Sequence, residues 1–133
     1  MMTATGPFRS IPLEGGLKLD FFDLGNRYFG DYHRIKILVR CEVPLRETMF
    51  AAESDPRRAF DRARRRLGER VVYERSLERM GVAGADVEAV RDRMIDAFLS
   101  SAGPYLRHPE FPRRLVESRL RSHRVHPLTI AGR

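Results

Sequence analysis

From Arg34 to Leu45 the chain alternates strictly. Ile35, Ile37, Val39, Cys41, Val43 and Leu45 interleave with Arg34, Lys36, Leu38, Arg40, Glu42 and Pro44. Apolar, largely β-branched residues at a period of two predict a strand with one buried face. Pro44 has no N–H to give a ladder, so pairing is expected to fail there or to lie on an edge. Upstream, Leu17, Leu19 and Phe21 alternate with Lys18, Asp20 and Phe22. That pattern predicts a second strand, opened by Gly15-Gly16 and closed near Asp23. The segment 24–33, LGNRYFGDYH, is rich in turn formers and is read as the connection of an antiparallel hairpin. Its outer face brings Lys18 and Asp20 near Lys36, Arg40 and Glu42. Such cross-strand charge pairs contribute about 0.2–1 kcal/mol each and need no function.

The next period is helical. Asp55 is a good N-cap, Pro56 suits the first helical position and Gly68 suits the position past the end. Between them Phe60, Ala63 and Leu67 form a narrow apolar stripe. Arg58, Arg62, Arg65 and Arg66 are read as sharing the opposite face, with Arg57 and Arg64 flanking. The following ERVVYERSLERMG admits a helical extension, because Val71 lies four residues after Leu67. Gly68 and the run Val71-Val72-Tyr73 favour a strand, with Val71, Tyr73 and Leu77 on one side. From Asp86 to about Ala102, Val87, Val90, Met94, Phe98 and Ser101 fall at helical spacing, widened by Ile95 and Leu99, and Gly103-Pro104 is expected to stop the helix. A third helix is expected from Pro109 to Pro112 onward, with Phe111, Leu115, Val116 and Leu120 as its stripe.

These elements predict an α+β fold: a small antiparallel sheet, made of the N-terminal hairpin and one later strand, packed on one face by two to three helices. The expected organisation is a flexible N-terminus (1–10), a single domain (11–122) and a flexible C-terminal tail (123–133). Three strands leave two edges, so pairing between two copies is expected, as a homodimer.

Composition narrows the class. The chain has 133 residues, 42% apolar and 32% charged, enough to build a core. No apolar run approaches the roughly 20 residues of a membrane-spanning helix, and the opening MMTATGPFRSIP has no continuous apolar core of a signal peptide. One cysteine, Cys41, excludes an internal disulfide framework and a cysteine-based zinc finger. A cytoplasmic location and no membrane partner are expected. The net charge is +7, and all but two of the 25 basic residues are arginine, the exceptions being Lys18 and Lys36. The excess is uneven: 0 over 1–54, +4 over 55–80, −2 over 81–106 and +5 over 107–133. Two basic blocks raise the prospect of an anionic partner, nucleic acid or an acidic protein. The candidate anion-binding residues are Arg57, Arg58, Arg62, Arg65 and Arg66 in the first block and Arg113 and Arg114 in the second, with Arg121 and Arg124 further along. Four to six phosphate contacts would give a log–log salt slope near −0.9 per contact on B-form DNA.

Reactive constellations are absent from the pattern. Gly15-Gly16 lacks the Lys-Ser/Thr of a phosphate loop, and no Gly-x-Ser-x-Gly is present. Cys41, on the apolar face of its strand, reads as a small buried hydrophobe. His123 and His126, with His108, have the spacing to share a cation, but no carboxylate is placed beside them. Asp31 and His33 form a short-range pair in a loop. Glu74 and Glu78 alternate with Arg75 and Arg79, the pattern of an ion-paired surface. No catalytic residue, metal or cofactor is expected.

The segments IPLEGGLKLDFFD, IKILVRCEVPL and PYLRHPEFPRRL, in this order, resemble segments of an uncharacterised bacterial protein family, a domain of unknown function of about this length, over residues 11–121. The shared features are turns, strands and a proline-rich helix start, so the resemblance implies a fold and no reaction. In PYLRHPEFPRRL, Arg107, His108, Arg113 and Arg114 are the candidates for a site, while Tyr105, Pro109, Phe111 and Pro112 read as the corner between two helices. Together these readings favour a small non-catalytic binding or assembly module, with nucleic-acid association through the arginine faces as the alternative.

Overall fold

The computed structural model describes residues 6–131, and side chains as far as 122. The fold is α+β. Its strands are β1 (Arg9–Pro12), β2 (Lys18–Asp23), β3 (Asn26–Phe29), β4 (Tyr32–Pro44) and β5 (Arg70–Ala83), and its helices α1 (Pro56–Leu67), α2 (Val87–Leu106) and α3 (Phe111–Ala131). They are organised in two compact units, Met1–Cys41 with Glu74–His108, and Glu42–Tyr73 with Pro109–Arg133; β4 and β5 each begin in one unit and end in the other.

In the first unit β4 is the organising strand. Its alternation is realised as read: Ile35, Ile37, Val39 and Cys41 are buried, and the residues between them are half-buried. β2 and then β3 pair antiparallel with β4, in the registers Phe21↔Val39 and Arg27↔His33, and β1 pairs antiparallel with β2. β5 also pairs with β4, which settles Val71-Val72-Tyr73 as strand. Cross-strand ion pairs of β4 with β5 include Arg34 with Glu78, Arg40 with Glu74 (2.8 Å) and Arg70 with Glu42 (2.9 Å), all on the polar side of β4.

The antiparallel sheet therefore has five strands, larger than a hairpin plus one strand. The segment read as a loop, 24–33, contains β3. Every residue of β3 is exposed, so it carries no wet-and-dry alternation to betray it. Gly25 permits the change from β2 to β3, because a Cβ there would overlap the Arg34 carbonyl. The actual turn is short, with Gly30 at φ 53° between the paired Phe29 and Tyr32. β1 is only four residues, and it too lacks a fully buried face.

α2 supplies the helical share of this unit's core. Val90, Ile95 and Phe98 are buried, with Met94 and Leu99 half-buried, while Ser101, read as part of the stripe, is exposed. Phe98 meets Phe21 of β2 edge-on, with ring centroids 6.3 Å apart. Each such side chain stabilises the fold by about 1.5–3 kcal/mol through burial, and the ring pair adds about 0.5–1.5 kcal/mol. Gly103-Pro104 does not stop α2, which continues to Leu106. Proline this near the end forfeits a single intrahelical bond, Arg107 N–H still reaches the Gly103 carbonyl (2.8 Å), and Leu106 is 2% exposed. Burial of that last turn outweighs the lost bond.

In the second unit α1 begins and ends where its caps say. The Asp55 carboxylate accepts from Arg58 N–H (3.2 Å), Pro56 is the first helical residue and Gly68 leaves the helix at φ 87°. Ala63 is buried, and Phe60 and Leu67 are half-buried. Phe60 tilts against Phe50, which a short 3-10 turn (Glu47–Phe50) holds in place. α3 buries Phe111, Leu115 and Val116 and half-buries Leu120; Phe111 stacks edge-on with Tyr73 at 6.0 Å. Arg119 donates to the Val72 carbonyl at the start of β5 (2.6 Å). The side chains of His123 and His126 lie outside the described ones, and residues 1–5 and 132–133 outside the described residues; of the segments read as flexible, Arg9 and Ser10 open β1 and the backbone of 123–131 continues α3. No described helix is long and apolar enough to cross a membrane.

Candidate functional site

Charge is distributed by unit. The second unit holds 14 basic and 8 acidic side chains, a net of +6; the first holds 11 and 10, a net of +1. Nearly the whole excess of the chain thus belongs to the unit that contains α1 and α3.

Within it lies a cleft of about 380 Å³. Ala59, Arg62, Ala63 and Arg66 of α1 line it at i, i+3, i+4 and i+7, and Glu117, Leu120 and Arg121 of α3 line it at i, i+3 and i+4. Phe50 and Glu53 complete it. That spacing places all four α1 residues on one helix face. Its accessible apolar part is small, from the half-buried Ala59 and Leu120 with Phe50 and Ala63 buried beneath, and the lining also carries three guanidinium groups and two carboxylates. Arg66 donates to the Leu120 carbonyl (3.5 Å), which orients it across the cleft. Glu117 is engaged by Arg113 (2.9 Å). Among the described residues, Arg62 and Arg121 have no carboxylate or carbonyl partner, and both are exposed.

The remaining basic candidates divide into committed and uncommitted groups. Arg57 reaches Glu47 and Asp61, each at 3.4 Å, and its guanidinium lies over the Phe60 ring. Arg64 covers the same ring and pairs with Glu69 at 2.8 Å; that hydrogen bond and charge raise its pKa. Arg113 is held between Glu110 and Glu117, and its pKa is raised first by the hydrogen bond to Glu110. Arg65 lines a second, shallower depression with Asp61, Arg64 and Glu69, away from the face of Arg62 and Arg66. Arg58 and Arg114 are exposed and carry no ion pair among the described residues. The structure thus brings Arg62 and Arg66 together with Arg121, and leaves Arg57, Arg65 and Arg113 in other surroundings. Phe50, Glu53 and Glu117 carried no signal of their own in the sequence, because each is an ordinary residue made relevant by its neighbours across the cleft.

Cys41 and the Asp31–His33 pair lie elsewhere, in the first unit. Cys41 is 1% exposed inside the sheet. Asp31 sits 3.8 Å from His33 Nε2, but its carboxylate accepts from Gly84 N–H (3.2 Å) and its own carbonyl from the same N–H (3.0 Å). Asp31 thereby ties the hairpin turn to the end of β5. Among the described residues no group of three or more His, Cys, Asp or Glu side chains is placed to hold a metal.

Comparison with protein-family models, with curated proteins and with solved structures gives no match to this chain.

Proposed function

We propose that the protein is a non-catalytic binding module of the cytoplasm whose recognition surface is the cleft between α1 and α3, and whose ligand is anionic. The observation that carries this reading is the convergence of Arg62 and Arg66 from one basic block with Arg121 from the other on one concave surface. Arg62 and Arg121, exposed and without an internal carboxylate, keep their full charge and their donors for a carboxylate or phosphate, and Arg66 keeps those it does not spend on the Leu120 carbonyl. The half-buried Ala59 and Leu120 beside them add apolar contact that a flat charged face lacks.

The test is fluorescence anisotropy with a labelled polyglutamate and a labelled single-stranded DNA over a salt series. The expected result is an affinity that falls as salt rises, and that drops at least about tenfold in the triple variant Arg62→Ser, Arg66→Ser, Arg121→Ser. Unchanged affinity in that variant would remove the cleft from the account.

Nucleic-acid association is the second reading, favoured by the +6 of the second unit. Phosphate contacts alone would supply affinity without sequence preference.

Assembly as a homodimer belongs to the same proposal. Tyr28, Phe29 and Tyr32 at the β3–β4 turn, Leu24 before β3 and Met80 near the end of β5 are each at least 47% exposed. A second β3 laid antiparallel with Tyr28 opposite Tyr28 would set Arg27 opposite Phe29 and would oppose no like charges. The same operation on β5 about Ser76 or Leu77 would set Glu74 against Glu78 or Arg75 against Arg79, which is unfavourable.

A further inference from the structure

We infer that the ligand of the α1–α3 cleft is the acidic, apolar-striped face of a peptide helix rather than a run of phosphates. This rests on the reading of the cleft as an anion site and asks which anion its shape and charge accept.

Three features of the cleft bear on the choice. Its lining is mixed: Glu53 and Glu117 stand among Arg62, Arg66 and Arg121. A polyphosphate presents negative charge at every step along its length and meets both carboxylates with repulsion. A helix carries discrete carboxylates that can face the arginines and leave the glutamates opposite neutral or basic positions. Apolar surface is the second feature. Ala59 and Leu120 are half-buried and leave a small apolar strip between the guanidinium groups, and this suits a leucine-like side chain of a facing helix. Spacing is the third. Arg62 and Arg66 are four residues apart on one helix face, the separation at which carboxylates also recur along a facing helix.

Base recognition lacks its usual platform here. Phe50 is 8% exposed, and Phe60 lies beneath the guanidinium groups of Arg57 and Arg64, so neither ring is open for stacking.

The experiment compares three labelled probes of matched charge against the full chain: an amphipathic peptide of about 16 residues, with Leu at i, i+3, i+4 and i+7 and Glu elsewhere; a scrambled peptide of the same composition; and a single-stranded DNA. Each is titrated into the native protein, Leu120→Ser, and the pair Arg62→Glu with Arg121→Glu, all checked for native circular dichroism and melting. The expected result is binding of the amphipathic peptide at least about tenfold tighter than either other probe, lost on charge reversal and weakened about tenfold or more by Leu120→Ser. Equal binding of the scrambled peptide, or no effect of Leu120→Ser, overturns the inference. DNA binding that is tightest and depends on Arg62 and Arg121 overturns it in favour of nucleic acid while the cleft stands. Indifference of every probe to the charge reversal overturns both the inference and the cleft.

Discussion

Phe21 and Phe98 meet edge-on in the interior of the first unit, and Phe98 is only 6% exposed. Phe98→Ala would remove both the apolar burial and the ring contact and leave a cavity. The expected cost is about 3–5 kcal/mol, read from the midpoint of a urea titration. A surface pair contributes on the acid side. The hydrogen bond from Arg34 holds the Glu78 carboxyl below its ordinary range, with lesser help from the charges of Arg34 and Lys36. Its folded pKa is depressed, so this contribution is complete above the ordinary glutamate pKa and is lost as pH falls through the folded value. The pair is half-exposed, so the effect is small and screened by salt. Arg34→Met should flatten the fall in thermal midpoint between about pH 5 and pH 3, and an unchanged acid limb would contradict the assignment. Residues such as Phe98 and Ile37 are legible in the sequence because the period of their element announces a dry side. Phe29 and Tyr32 are not: they lie outside any buried period, and two nearby glycines make their segment read as loop.

Elements with chemical punctuation are the readable ones. α1 begins at Pro56 and ends at Leu67 because the orphan N–H of Arg58 finds the Asp55 carboxylate and the chain exits through the positive φ of Gly68. Asp55→Ala should therefore lower stability by about 1 kcal/mol, measurable as a shifted thermal midpoint with unchanged amplitude. β3 and the end of α2 show where such reading fails. Four exposed residues form β3 because the ladder of β4 is available beside them, which is a tertiary cause. The Gly-Pro pair in α2 is a local stop signal that burial of Leu106 overrides. At the β2–β3 junction the requirement is steric. Gly25→Ala would push a Cβ into the Arg34 backbone and should loosen the hairpin, seen as faster amide hydrogen exchange at Leu24, whose N–H donates to the Lys36 carbonyl (2.8 Å).

At the scale of the whole molecule, the two basic blocks were legible as blocks, but their meeting was not. Arg62 and Arg121 are distant in sequence, and only the packing of α1 with α3 brings them to one cleft. The separation of charge, +6 in one unit against +1 in the other, likewise follows from how the chain crosses between units. The proposed dimer belongs to this scale as well. Light scattering should give twice the monomer mass for the native chain and the monomer mass for Phe29→Arg, and a monomer at every concentration in the native protein would dismiss it. The central claim is that an anionic partner docks on α1 and α3. Amide chemical-shift mapping of the labelled protein against the amphipathic acidic peptide tests it most directly. Shifts concentrated at 50–66 and 117–121 are the predicted result; shifts centred on the turn at 26–33, or spread evenly over both units, would contradict it.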